Sequence, residues 1–156
     1  MRLCFSALTL TLFAEVVEAD TMRWGRVSKQ GEIDIAVSTA DGSALMFTCP
    51  EGYPGQKVGI GVHARGQIPN GPANTLKIIV GAQTFSYRLE ADAVFVTDRE
   101  TETSVNTTVD ALLGSKSRTF IAEIPELKWR QEFPLTNIKA AMDGVPGKNI
   151  ISRCKP

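Results

Sequence analysis

Residues 31–49 read GEIDIAVSTADGSALMFTC. Ile33, Ile35 and Val37 alternate with Asp34, Ala36 and Ser38, the period of two that turns one set of side chains to a core and the other to water. Asp41-Gly42 follows, a pair that tolerates positive φ, and Leu45 and Phe47 then resume the alternation up to Cys49. The stretch predicts a β-hairpin. What lies on either side decides which β architecture it joins.

Downstream, the strand pattern persists. After the turn-rich PEGYPGQ (50–56), KVGIGVHA (57–64) places Val58, Ile60 and Val62 on one face and Gly59, Gly61 and His63 on the other. Glycines on that second face leave room for another backbone or a partner. GQIPNGPAN (66–74) breaks the pattern with two prolines and two glycines, and TLKIIVGAQTFSYRLEA (75–91) predicts a second hairpin turning at Gly81-Ala82. AVFVT (93–97) is a further short strand, TDRETETSVNTT (97–108) reads as an exposed polar loop or edge, and RTFIAEIPELKWRQEFPL (118–135) is mostly strand.

Two short helices are expected late in the chain. NTTVDALLGS (106–115) offers Thr107 or Thr108 as N-cap, a Val109, Leu112, Leu113 stripe and Gly114 as a stop. TNIKAAMDGVPG (136–147) offers Thr136 as N-cap, with Ile138, Ala141 and Met142 on one face. Helices of about two turns do not persist alone in water, so each must dock on a sheet. The expected fold is therefore mainly β: an antiparallel β-sandwich or flattened barrel with two short helices in the C-terminal third.

Upstream, MRLCFSALTLTLFAEVVEA places one Arg before an apolar run from Leu3 to Ala14 and ends on Val17-Glu18-Ala19, a small-x-Ala cleavage pattern. We read residues 1–19 as a signal peptide and 20–156 as a single β-rich domain, exported to the periplasm or secreted. The apolar run is too short to span a bilayer, which needs about 20 residues, and no later segment qualifies. Removing the signal takes Cys4 with it and leaves Cys49 and Cys154. An even pair in an exported chain points to a disulfide, with two free thiols as the alternative. The bridge would close a loop of about a hundred residues, for which chain-entropy models give roughly 4–5 kcal/mol.

Chemistry is sparse. The 17 basic and 17 acidic residues cancel, so no overall field steers the chain toward nucleic acid. His63 is the single histidine and is accompanied by no nucleophile motif. Asp98, Glu100 and Glu102 alternate and would share a side if extended, yet nothing around them predicts the burial that shifts a pKa. No catalytic residue, cofactor or metal ligand is assigned. Asn106-Thr107-Thr108 matches a glycosylation acceptor, a pattern short enough to arise by chance. Lys128, Trp129 and Arg130 set a cation on either side of an indole, a composition favoured in binding hot spots. They form the candidate interaction surface, although alternation also fits Trp129 in the core. Trp24 reads as a core residue of the first strand.

The order of these features resembles the invasion-associated locus B family of bacterial exported proteins. The resemblance rests on an export signal, Trp24 soon after it, a strand ending at Cys49, VDALLGSKSRTFIAEI (109–124), FPLTNIKAAMDGV (133–145) and a final cysteine. It implies a β-rich envelope protein that acts by binding, without catalytic residues, and that is linked to host interaction. The expected function is a non-enzymatic, exported binding protein with a protein partner. The alternative is a secreted inhibitor of a lysozyme or protease, with GQIPNGPAN entering a cleft. Non-reducing mass spectrometry of exported protein should show a mass lower by two hydrogens than after reduction. Labelling of both Cys49 and Cys154 by a thiol reagent without reduction would count against the bridge.

Overall fold

Among the described residues, alternating apolar side chains build nine strands. A computed structural model describes residues 22–29, 32–50, 59–65, 74–142 and 151. The strands are β1 (Gly25–Lys29), β2 (Glu32–Ser38), β3 (Ala44–Pro50), β4 (Gly59–His63), β5 (Thr75–Val80), β6 (Gln83–Arg88), β7 (Ala93–Phe95), β8 (Thr119–Ile124) and β9 (Trp129–Pro134). Two helices join them, α1 (Arg99–Gly114) and α2 (Ile138–Ala141). One sheet has the order β1-β2-β3-β4-β7 and the other β6-β5-β8-β9, with every pair antiparallel. The arrangement is a two-layer β-sandwich, not a closed barrel.

The first hairpin forms as its alternation predicts. Ile33 faces Cys49, Ile35 faces Phe47 and Val37 faces Leu45 across β2 and β3, and all six are buried. Gly42 adopts a φ of 89°, open to glycine and strained for most other residues. The Asp41 carboxylate accepts from the Thr39 hydroxyl, the Ser43 backbone N–H and the Ser43 hydroxyl, which ties the turn to a single side chain.

Inward residues of both sheets form one apolar cluster, which also includes Val105, Val109, Leu112 and Leu113 of α1 and Ile138, Ala141 and Met142 at α2. Trp24, just ahead of β1, spans the layers. Its ring stacks on Phe47 of the first sheet at 5.9 Å and on Phe120 of the second at 6.1 Å. Phe120 then stacks on Phe133 at 5.5 Å, and Trp129 tilts against Phe133 at 6.4 Å. Offset aromatic contacts at such spacings add about 0.5–1.5 kcal/mol each beyond the area they bury.

Hydrogen bonds fix the Trp24 ring and backbone together. Its indole Nε1–H donates to the Pro134 carbonyl at 3.0 Å, and its backbone N–H donates to the Thr136 carbonyl at 3.0 Å. Its own carbonyl accepts from the Asn137 side-chain amide at 2.9 Å. These bonds change two expectations at α2. The N-cap is Asn137 rather than Thr136, in a left-handed conformation with φ 67°, and its side chain reaches Trp24 instead of capping the helix. A four-residue helix is too short to stand alone, and the indole clasp supplies what a cap does not.

The larger correction concerns residues 97–108. Residues 99–108 of that stretch form the front of the sixteen-residue α1, not an exposed loop. Asp98, rather than Thr107 or Thr108, is the N-cap and accepts from the Thr101 backbone N–H at 2.7 Å. Glu100 and Glu102 occupy the first turn, where carboxylates favour the positive end of the helix dipole. The hydroxyls of Thr103, Thr107 and Thr108 donate to the carbonyls of Arg99, Thr103 and Ser104 one turn earlier. Three hydroxyls that suggested a loop are thus satisfied within the helix.

Replacing Trp24 with Ala should cost about 3–5 kcal/mol, the usual range for emptying a core aromatic site. Trp24→Phe keeps the stacking and loses the Nε1 bond, so it should cost less, with about 1 kcal/mol from the bond itself. Denaturant titration followed by far-UV circular dichroism measures both. Equal losses for the two variants would show that the Nε1 bond, and not the stacked ring, carries the effect.

Candidate functional site

The three residues of the candidate interaction surface do not lie together. Trp129 opens β9 and turns inward, 8% exposed, against Phe133. Lys128 and Arg130 are exposed on either side of it. Lys128 ends a short 3-10 turn (Pro125–Leu127) in a left-handed conformation, φ 53°, with its N–H donating to the Pro125 carbonyl. Arg130 pairs with Glu123 of the neighbouring strand. The turn is tied from a second direction, because the Glu126 carboxylate accepts from the Thr75 backbone N–H at 3.1 Å. The result is a braced charged corner whose indole serves as its root.

The alternation of Asp98, Glu100 and Glu102 does not create a shared face, since a helix rotates successive residues around its axis. Asp98 is spent on the cap. His63 is exposed at the end of β4, paired across the sheet with Ala44. Among the described residues no group of three His, Cys, Asp or Glu side chains is placed to hold a metal ion. No described helix is long and apolar enough to cross a membrane.

Gly59 and Gly61 do leave space, and the chain fills it itself. A Cβ on Gly59 would lie 2.7 Å from the Val94 carbonyl oxygen of β7, and one on Gly61 would meet the Met46 methyl at 3.1 Å. The glycines therefore admit β7 and a methionine from β3. Cys49 faces the core from β3 at 4% exposed, while Cys154 lies outside the described residues, as do the signal segment and most of GQIPNGPAN.

A hydroxyl cluster that sequence reading missed fastens α1 to the second sheet. Tyr87, inward on β6, sets its hydroxyl 3.0 Å from the Ser104 carbonyl and donates its proton in a short hydrogen bond to the fully buried Thr108 hydroxyl, whose own proton goes to that carbonyl. The Ser104 hydroxyl donates to the Tyr87 oxygen at 3.2 Å. Burial raises the Tyr87 pKa above its ordinary value, against the opposing pull of the Ser104 and Thr108 hydrogen bonds. The signal was present as Val105, Thr108, Val109 and Leu112 at helical spacing, once Asp98 is taken as the start. Thr108 is also the third residue of the glycosylation pattern, and its hydroxyl is committed within the fold.

An antiparallel β-sandwich with one capped helix packed beside the core is the class that these residues define. The family model YfjT matches residues 22–142, and the chain belongs to that family. No curated protein and no solved structure matches it.

Two exposed carboxylates hold local structure by accepting backbone N–H groups, and both titrate below the ordinary aspartate range. For Asp41 the main cause is the Thr39 hydroxyl, followed by the Ser43 N–H. For Asp98 it is the Thr101 N–H, followed by the Thr101 hydroxyl. A carboxyl group whose pKa is lowered on folding stabilises the native state above its unfolded pKa. That contribution is lost as the pH falls through the lower, folded value. Asp41→Ala and Asp98→Ala should therefore lower the melting temperature at pH 7, and each difference from wild type should shrink in acid. Thermal melts across pH 2–7 test this, and differences that stay constant with pH would reject it.

Proposed function

We propose that the protein is an exported, non-enzymatic binding protein of the bacterial envelope, with Cys49 and Cys154 bridged and a protein as its partner. The contact surface in this reading is the corner of Lys128 and Arg130. The observation that carries it is the bracing of that corner. Trp129 anchors it in the core and Glu126 ties it to β5, while Lys128 is held outward in a left-handed conformation. Charged groups held in one geometry lose little side-chain freedom on association, which favours binding.

The bridge has its own support. Ile151, three residues before Cys154, is 2% exposed and belongs to the same apolar cluster as Cys49. The likeness to the invasion-associated locus B family belongs to this proposal and draws on two of its quoted features. Trp24 and the FPLTN segment, far apart in sequence, are bonded to one another.

Crosslinking in intact envelopes, followed by mass spectrometry, tests the reading. Wild-type protein should capture a defined partner, and Lys128→Gln with Arg130→Gln should reduce that capture several-fold, with only the small drop in melting temperature expected from losing one exposed ion pair. Undiminished capture by the double variant would remove the corner from the proposal. Absence of any specific adduct would remove the partner.

A further inference from the structure

Strand β9 ends the second sheet, so alternate peptide groups along it turn away from β8. The ladder fixes which ones. Leu135 donates its N–H to the Arg118 carbonyl at 2.8 Å, in step with the pairing of Thr119 and Pro134 beside it. Bonded pairs alternate in an antiparallel ladder, so Phe133, Gln131 and Trp129 also face β8 with their peptide groups, while Arg130, Glu132 and Pro134 turn theirs outward. Pro134 is already used, since it has no N–H and its carbonyl accepts from the Trp24 indole. At the other end, Lys128 leaves the strand in its left-handed turn. The open edge is therefore Arg130 to Glu132. Their outward N–H groups meet no described partner, and the Glu132 carbonyl meets only the Gln131 side-chain amide at 3.2 Å. Both charged side chains are exposed on the outer face of the sheet. Arg130 pairs with Glu123, whereas Glu132 meets the Thr119 hydroxyl and no cation among the described residues.

We infer that this edge pairs with a second copy of the chain, β9 against β9 and antiparallel, about a two-fold axis at Gln131. In that register Arg130 of each copy lies directly opposite Glu132 of the other, and each such pair exchanges both of its outward N–H···O bonds. The charges select both the occupant and the register. An axis at Arg130 would oppose two guanidinium groups and require Lys128 as a strand residue. An axis at Glu132 would oppose two carboxylates and require an N–H from Pro134. In-register parallel stacking, the arrangement of aggregating edges, sets like charges side by side. The same two side chains thus guard the edge against open-ended pairing and match it to a two-fold mate. Arg130 then lies between Glu123 of its own sheet and Glu132 of the second copy, and a guanidinium has donors for both. Gln131 releases the Glu132 carbonyl, whose exposed bond is replaced by the one from the second copy.

Sedimentation equilibrium of the purified full-length exported protein, taken up to millimolar concentration, tests the pairing. A reversible dimer is expected. Glu132→Arg and Arg130→Glu should each weaken it by about tenfold or more. Combined, they should recover most of that loss, because the swap restores opposite charges across the axis. Gln131→Cys should give a disulfide-linked dimer on mild oxidation, since non-hydrogen-bonded positions directly opposite each other lie within reach of a bridge. Cooperative circular dichroism melts confirm that each variant is folded. Three outcomes would overturn the inference: wild-type protein stays monomeric throughout, the folded single variants dimerise as tightly as wild type, or folded Gln131→Cys dimerises without linking. The inference goes beyond the proposed function and fails separately from it. Lys128→Gln should leave the dimer intact, and a monomeric protein would leave the envelope crosslinking experiment to decide the partner.

Discussion

The structure depends on one indole that belongs to both layers. A sandwich gains its stability by pressing two apolar faces together, but hydrophobic contact alone does not set how the sheets are aligned. Trp24 sets it. Its ring lies between Phe47 and Phe120, one from each sheet, while its Nε1–H, N–H and carbonyl all bond to residues 134–137. A buried indole N–H without a partner would carry a desolvation cost, so ring burial and the bond to Pro134 require each other. The same contacts hold α2, which lacks both the length and the side-chain cap to be stable alone.

At the edges the structure relies on exposed carboxylates. Asp41 closes the first hairpin, Asp98 starts α1, and Glu126 joins the 3-10 turn to β5. Each accepts a backbone N–H that would otherwise lack a partner. Glu126, like the two aspartates, titrates below its ordinary range, chiefly through its own backbone N–H and then through that of Thr75. The core thus fixes the alignment of the layers, and these side chains fix where each element starts or turns.

This division explains what was legible in the sequence. The strands were, because Ile33 to Val37, Leu45 to Cys49 and Leu76 to Val80 alternate cleanly and a half-buried strand admits little else. The front of α1 was not. Thr103, Thr107 and Thr108 have poor helix propensity, and their hydroxyls find backbone partners only after the helix has formed. Tertiary packing of Val105, Val109 and Leu112 overrides local preference there. The candidate surface was half legible. Alternation allowed Trp129 to point inward, but the bracing of Lys128 depends on Glu126 meeting Thr75, 51 residues away in sequence.

The span that defines the family fits this physical account. It begins at residue 22, two before the indole, and ends at Met142, which is fully buried just beyond α2. Those limits enclose the clasp: Trp24 near one end, residues 134–137 and the helix they lead into at the other. A shorter unit would lose either the indole or its acceptors, and the two sheets would keep their apolar faces but not their alignment. Ile151 lies beyond the span yet belongs to the same apolar cluster, so the core that Trp24 aligns draws on a residue outside the family unit.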